Sequence, residues 1–415
     1  MNETADVVVI GGGAAGCFAA IQAGMHFPGA KVVILERGVK PLAKVKISGG
    51  GRCNVTNVVS DPVELSANYP RGERFLRKAF YSFSSNDMIG WLGDRGVKLK
   101  EYPDGCLFPV TNDSQTIIDC FLDELKKLHI PLRLESRVDE IRKTEAGWEV
   151  VTPAGTIACK SVVLTTGGQP KISGFQLLNP LDLKIVPPIP SLFTFNMPQE
   201  PIRELMGVVI ENASVRISGE KWSTSGPLLI THWGMSGPAI LKCSAFGARI
   251  LEGKNYRTQI SVNWTGFLKQ DEVRVELLEW KSSGKKILNT PLFRIKSRLW
   301  AYLLAKCDIH EDLRWSELGG RQENKLIEVL INDLYQMEGK TTFKEEFVTA
   351  GGIDLAEIDV KTMQSKRYRG LFFAGEVMDI DGVTGGFNFQ AAWTTAAIAG
   401  KSVLLDQTGE NENTK

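Results

Sequence analysis

One segment near the N-terminus constrains the chain more than any other. Asp6-Val-Val-Val-Ile10 is a short apolar run of the kind that forms a buried parallel strand, and it leads directly into Gly11-Gly-Gly-Ala-Ala-Gly16. An alanine-rich helix is predicted from about Ala14 to Gly24. A second strand, Lys31-Val-Val-Ile-Leu-Glu36, then ends on an acid twenty residues beyond Gly16. Strand, G-x-G-x-x-G turn, helix, strand and acid in this register describe a dinucleotide-binding βαβ unit. Gly11 permits the tight turn, Gly13 lets backbone approach a pyrophosphate, and Gly16 lets helix and strand pack closely. The helix start at Ala14 and Ala15 supplies N–H donors and positive potential for phosphate. Glu36 is expected to accept hydrogen bonds from an unphosphorylated ribose, with Arg37 beside it.

That fingerprint does not separate FAD from NAD, and three further segments point to the flavin. Lys44-Val-Lys-Ile-Ser-Gly-Gly-Gly-Arg-Cys-Asn-Val-Thr-Asn57 places three glycines before a cation, a thiol and an amide. Such backbone suits close approach to a ligand, so Lys44, Ser48, Gly49, Gly50, Gly51, Arg52, Cys53 and Asn54 are candidate contacts. Ser161-Val-Val-Leu-Thr-Thr-Gly-Gly168 reads as the strand re-entering the nucleotide domain, with Thr165, Thr166 and Gly167 at its end. Before it, residues 137–143, 148–152 and 156–160 alternate like an antiparallel meander, and Val138 is placed at the adenine. Near the C-terminus, Leu371-Phe-Phe-Ala-Gly-Glu-Val-Met-Asp379 precedes a glycine turn and a helix from about Asn388 to Leu404. Gly375, Glu376, Asp379 (for ribityl hydroxyls), Gly385, Gly386, Phe387 and Asn388 form this third group. A second ligand-binding element so far from the first suits a long, extended FAD. Its helix N-terminus would favour negative charge at the flavin N1 and C2 carbonyl.

Composition narrows the class. The chain has 415 residues, 43% hydrophobic and 23% charged, enough for two or three packed domains. With 49 Lys plus Arg against 48 Asp plus Glu, the formal charge is +1, and neither nucleic acid nor membrane is expected as a partner. No apolar run approaches the roughly 20 residues of a membrane span, and the first residues do not read as a signal peptide, so the cytoplasm is expected. Seven scattered cysteines without C-x-x-C, and four histidines without ligand spacing, suggest no disulfide framework and no metal.

Ile47-Ser-Gly-Gly-Gly-Arg-Cys-Asn-Val-Thr-Asn57, Thr231-His-Trp-Gly-Met-Ser-Gly-Pro-Ala-Ile240, Val348-Thr-Ala-Gly-Gly-Ile353 and Phe373-Ala-Gly-Glu-Val-Met-Asp-Ile-Asp-Gly-Val-Thr-Gly-Gly386 together resemble the bacterial aminoacetone-oxidase-like FAD-binding flavoproteins. The resemblance implies non-covalent FAD in a Rossmann-like α/β domain of the glutathione reductase type, built from both chain ends. It also implies an inserted β-barrel-like and helical domain covering the flavin. Its branches are associated with amine oxidation and with NAD(P)H-dependent reduction of steroid-like enones. The segment Gly167-Gly-Gln-Pro-Lys-Ile-Ser-Gly-Phe175 departs from the family's usual turn.

The expected division is 1–188 and 345–407 for the FAD domain, 189–344 for the insertion, and 408–415 for a frayed tail. Helical stripes at Val273, Leu277 and Trp280, at Leu299, Tyr302 and Leu303, and at Leu326, Val329, Leu330 and Leu334 are read as core. His232, on a loop before a predicted helix, is the candidate proton relay, and Arg52 and Asn54 are further catalytic candidates. The function this supports is an FAD-dependent oxidoreductase acting on a small organic molecule, with NAD(P)H as a transient donor in a reductase. Two rivals stay open: a flavoprotein acting on RNA, like the folate-dependent tRNA methyltransferases, and a non-catalytic FAD-binding regulator.

Overall fold

The computed structural model describes residues 3–341 and 348–405. The tail expected at 408–415 and the boundary at 344/345 lie outside them. Two compact units are present among the described residues, 3–190 with 348–405, and 191–341.

In the first unit the strand Glu3–Ile10 is covered on both faces, and Val7, Val8 and Val9 are fully buried. Full burial of such side chains contributes about 1.5–3 kcal/mol each, which fixes this strand at the centre of a sheet. It pairs in parallel with Val32–Leu35 on one side and Gly155–Leu164 on the other, through Val7↔Val32 and Val7↔Ser161. Leu132–Arg133 adds at the outer edge of Val32–Leu35.

Gly155–Leu164 carries two partners in succession. Its first half takes Trp148–Thr152 antiparallel, with Glu140–Lys143 beyond, and its second half takes Leu371–Phe373 in parallel. The meander's third strand and the re-entering strand, read separately from sequence, are therefore one ten-residue strand. Both chain ends meet on this sheet. The first helix, Ala14–His26, is apolar almost all round and is buried from Ala15 to Ala23. The last helix, Phe387–Ser402, packs on it so closely that a Cβ on Gly400 would stand 2.4 Å from the carbonyl oxygen of Ala19.

The second unit is an antiparallel sheet with helices. Its strands follow the order Asp333–Glu338, Arg257–Asn263, Val209–Ile217, Thr224–Thr231, Gly234–Ser236, Thr194–Asn196, Lys340–Thr341. Lys340–Thr341 continues Asp333–Glu338 after Gly339, so the path returns to the strand where it began, as a barrel does. Val273, Leu277, Leu299, Leu303, Leu326 and Leu330 are fully buried in its core, with Trp280, Tyr302 and Val329 packed against it. Leu334 is an exception at 45% exposure: the last helix of this unit ends at Ile331, and Leu334 falls on the outward side of the following strand. The strand expected at 191–195 is also interrupted, because Leu192 adopts a left-handed conformation between Ile185–Ser191 and Thr194–Asn196.

Candidate functional site

The glycine turn after the first strand is held from below by Thr165. Its backbone N–H donates to the carbonyl of Ile10 at 2.9 Å, and its hydroxyl donates to that of Gly11 at 3.0 Å. Gly11 has φ +112°, and a Cβ there would stand 2.5 Å from the Thr165 carbonyl oxygen. A Cβ on Gly16 would overlap the Gly11 carbonyl oxygen at 1.8 Å, so only hydrogen fits where the helix crosses the turn. Around Gly13 nothing lies within 4 Å of the position a Cβ would take. The open side of the turn thus faces the place where a pyrophosphate would rest, at the start of a helix with no acidic residue in its first turn and no side-chain cap.

Glu36 lies at the end of Val32–Leu35, as the sequence predicted. Its carboxylate accepts the N–H of Gly12 at 2.7 Å and of Gly38 at 2.6 Å. The backbone of Ser136 donates to the Glu36 carbonyl at 2.8 Å, which brings half-buried Val138 alongside, while Arg37 is exposed. A carboxylate fixed by backbone at this point can accept ribose hydroxyls without paying for its own ordering.

The second glycine group begins as a helical turn from Ala43 and then leaves helical geometry at Ser48. Gly49, Gly50 and Gly51 have φ of 56°, 67° and 82° in succession, a left-handed run that other residues adopt at a cost. The carbonyl of Gly49 accepts from Arg52 Nε at 3.1 Å, and the Arg52 guanidinium lies 4.4 Å from the Phe108 ring centroid. Ser48 donates to the Val45 carbonyl, and its own carbonyl accepts from Cys53 N. Cys53 is fully buried, and burial pushes its thiol up to about 12, which leaves no thiolate for redox work near neutral pH.

Asn54 connects this loop to the C-terminal segment. Its side-chain oxygen accepts the N–H of Gly386 at 3.0 Å and its amide donates to the Thr56 carbonyl at 3.1 Å. Gly386 is the N-cap of the last helix, and a Cβ on it would stand 2.6 Å from the Thr56 backbone. Asn388 clamps the preceding turn by bonding both the N–H and the carbonyl of Gly382, at 2.8 and 2.9 Å. Phe387 is buried, Gly385 abuts its ring, and the helix carries no acid in its first turn. A second positive helix end is thereby presented in the same unit as the first.

Glu376 gathers distant parts of the chain. Lys44 Nζ pairs with it at 2.7 Å across 332 residues, the N–H of Thr349 donates to it at 3.1 Å, and Gly168 leaves room for its carboxylate. Asp379 accepts the N–H of Gly351 at 2.9 Å, and Gly375 N–H is bound by Thr395 Oγ1 at 2.9 Å. Thr166 is exposed at the strand end, where Gln169 bonds the carbonyls of Thr166 and Gly167. Around Gly167, as around Gly13, nothing lies within 4 Å of a Cβ position. These residues fit an extended dinucleotide: two helix ends, a ribose acceptor and two glycines facing open space.

Reasoning from sequence missed the supporting contacts. Thr349 and Gly351 belong to the strand Val348–Ile353, whose glycine pair was a signal but not one that named its partners. Arg71 forms an ion pair with fully buried Asp381, and only the burial of that acid reveals the pairing. His232 lies in the other unit, on the two-residue turn joining Thr224–Thr231 to Gly234–Ser236. Its side chain is exposed, its ring stands edge-on to Trp233 at 4.5 Å, and its carbonyl accepts from Arg203.

A family model described as the HI0933-like protein Rossmann domain matches residues 5–402. The chain is 31% identical to a ribosomal RNA dihydrouridine synthase of Escherichia coli strain K12, over 97% of this chain and 98% of that one. It is 25% identical to a 3-dehydro-bile acid delta(4,6)-reductase of Clostridium scindens, over 95% and 98%. Among solved structures, a 3-ketosteroid-delta4-(5alpha)-dehydrogenase of Rhodococcus jostii aligns over 97% of both chains at 14% identity and a TM-score of 0.53, a likeness of fold. The chain belongs to the HI0933-like family of Rossmann-fold FAD-binding proteins, and it is an FAD-dependent oxidoreductase.

Proposed function

We propose that this enzyme reduces a carbon–carbon double bond conjugated to a carbonyl, and that its substrate is a uridine in RNA. The observation that carries this reading is the 31% identity to the ribosomal RNA dihydrouridine synthase across nearly the full length of both chains. The bile-acid reductase is more distant at 25%, yet its name implies the same chemistry on a different skeleton. A dihydrouridine synthase and a reductase among the relatives favour reduction over amine oxidation. The expectation of no nucleic-acid partner rested on net charge alone, and a net charge says nothing of local patches.

FAD, when bound, would supply hydride chemistry for reducing the carbon β to the carbonyl, with a nicotinamide such as NADPH as the source of the electron pair. In this reading Gly13 and the first helix N-terminus seat the pyrophosphate, Glu36 holds the adenosine ribose, and Asp379 is positioned for ribityl hydroxyls. The last helix, with Gly386 held by Asn54, would offer its positive end to the flavin ring, stabilising negative charge there. A proton must reach the α carbon, and His232 is the candidate donor.

The test uses the purified enzyme under anaerobic conditions. NADPH or NADH is expected to bleach the flavin, and added rRNA transcript to restore its colour while one uridine gains about 2 Da by mass spectrometry. Restoration by a steroid-like enone but not by RNA would overturn the RNA assignment and keep the reductase. Replacing His232 with Ala should slow the RNA step and leave flavin content and bleaching intact; an unchanged RNA step removes His232 from the reaction.

A further inference from the structure

We propose that the outward face of the helix Glu73–Phe80, continued by Tyr81, Ser82, Lys361 and Lys401, is the track on which the RNA strand lies. This rests on the reading that the substrate is RNA. The helix buries Leu76, Ala79 and Phe80. Arg74, Arg77, Lys78 and Tyr81 recur at the i, i+3, i+4, i+7 spacing and share the opposite side. Tyr81 is 73% exposed. Just past it, Ser82 joins Lys361 and Lys401 around a surface cavity, adding two ammonium groups and a hydroxyl to the end of the stripe.

The charge on this surface is uncompensated. Many cations elsewhere have an acid: Lys44 has Glu376, Arg133 has Glu3, Lys286 has Asp312, Lys325 has Asp308. Among the described residues, none of Arg74, Arg77, Lys78, Lys361 or Lys401 is ion-paired. Glu73 is the one acid of the helix and falls to the side of the stripe, and the Asp359 carboxylate accepts the backbone N–H of Lys361 at 3.0 Å. A row of unpaired cations interleaved with an exposed aromatic fits phosphodiester backbone with a base stacked on the ring. An anionic membrane is the poorer fit, because the exposed side of the stripe offers no aliphatic side chain for insertion.

The stripe also leads to the site. Arg71, just before the helix, is paired with Asp381, and a Cβ on Gly72 would stand 2.4 Å from Ile380. Asp381 opens the turn that delivers Gly386 to the last helix. From Arg74 to Tyr81 the helix rises about 10 Å. A strand seated along it would run toward the glycine turn assigned to the flavin.

The experiment measures binding of an rRNA transcript to the FAD-loaded enzyme as a function of salt, beside turnover. Arg74→Gln, Arg77→Gln and Lys78→Gln combined should weaken binding at least tenfold and lower the log–log salt slope by about 2, since each single-strand phosphate contact is worth about 0.7. Flavin content and bleaching by NADPH should not change. Tyr81→Ala should weaken binding without altering the slope. Wild-type enzyme that reduces RNA, with a triple variant of unchanged affinity and slope, overturns the track and leaves the proposed function standing. Wild-type enzyme that binds no RNA overturns both, and retention on phosphatidylglycerol vesicles in that case would assign the stripe to a membrane.

Discussion

The two glycine groups of the first unit look alike in composition and owe their glycines to different physics. In Gly11–Gly16 the constraint is space: a Cβ on Gly16 would collide with backbone at 1.8 Å, and one on Gly11 at 2.5 Å. In Gly49–Gly51 it is mainly conformation, although a Cβ on Gly49 would also stand 2.9 Å from the Phe108 ring, just as a φ of +112° adds to the crowding at Gly11. Gly50 has nothing within 4 Å of a Cβ position, and its φ of 67° is what excludes other residues cheaply. Gly13 obeys neither rule, since its φ is −83° and its Cβ position is open. Its place in the turn, at the start of the first helix, is where a docked pyrophosphate would come closest to backbone.

Three substitutions separate these cases. Gly16→Ala should have the largest effect. Overpacking against backbone costs about 3 kcal/mol or more, and a melting temperature lower by about 6–12 °C with flavin lost on purification is expected. A variant that melts like wild type would show that helix and turn separate easily, and the spatial account of this group would fail. Gly13→Ala should leave the melting temperature of the flavin-free protein level or slightly raised, because alanine accepts its φ and reduces the freedom of the unfolded chain. Its affinity for FAD should nevertheless fall tenfold or more, read by titration of flavin fluorescence; unchanged affinity would mean that no ligand approaches this backbone. Gly50→Ala should cost about 1 kcal/mol, the ordinary penalty for a left-handed residue, seen as a small shift in denaturant midpoint.

How far the sequence could be read follows the same division. The first glycine group, its strand, helix and Glu36 were legible because every part lies within about thirty residues, and local periodicity plus turn chemistry fix them. The left-handed run at Gly49–Gly51 was legible as a departure from helix or strand. Contacts such as Lys44 with Glu376, Asn54 with Gly386, or Arg71 with Asp381 were not, because each joins residues some 310 or more apart and depends on which strands become neighbours. The ten-residue strand Gly155–Leu164 shows the limit from the other side. Its sequence alternates at one end and is continuously apolar at the other, and it reads as two elements until its two different partners are known.

The smallest effect concerns what the two groups share, one buried cysteine each. Cys17, on the first helix, donates its Sγ–H to the Gly12 carbonyl at 3.5 Å, and burial, with Glu36 nearby, pushes its thiol up to about 12. Burial alone raises Cys53 to the same value against a partial offset from Ser48. Below about pH 7.5 both thiols are protonated in the folded chain and very nearly so in the unfolded one, and they add almost no pH dependence. Between about 8 and 12 the unfolded chain releases these protons and the folded one keeps them, so stability must fall as pH rises through that window. Melting temperatures should show no thiol-driven change from pH 6.5 to 7.5 and a growing decline above about 8, and Cys17→Ala with Cys53→Ala should make that decline shallower. Ellman's reagent at pH 8 should label neither thiol in the native enzyme and both in guanidinium. Rapid native labelling of Cys53 but not Cys17 would mean that the left-handed loop opens to solvent while the packed turn stays shut, which would make the second group the mobile wall of the flavin site.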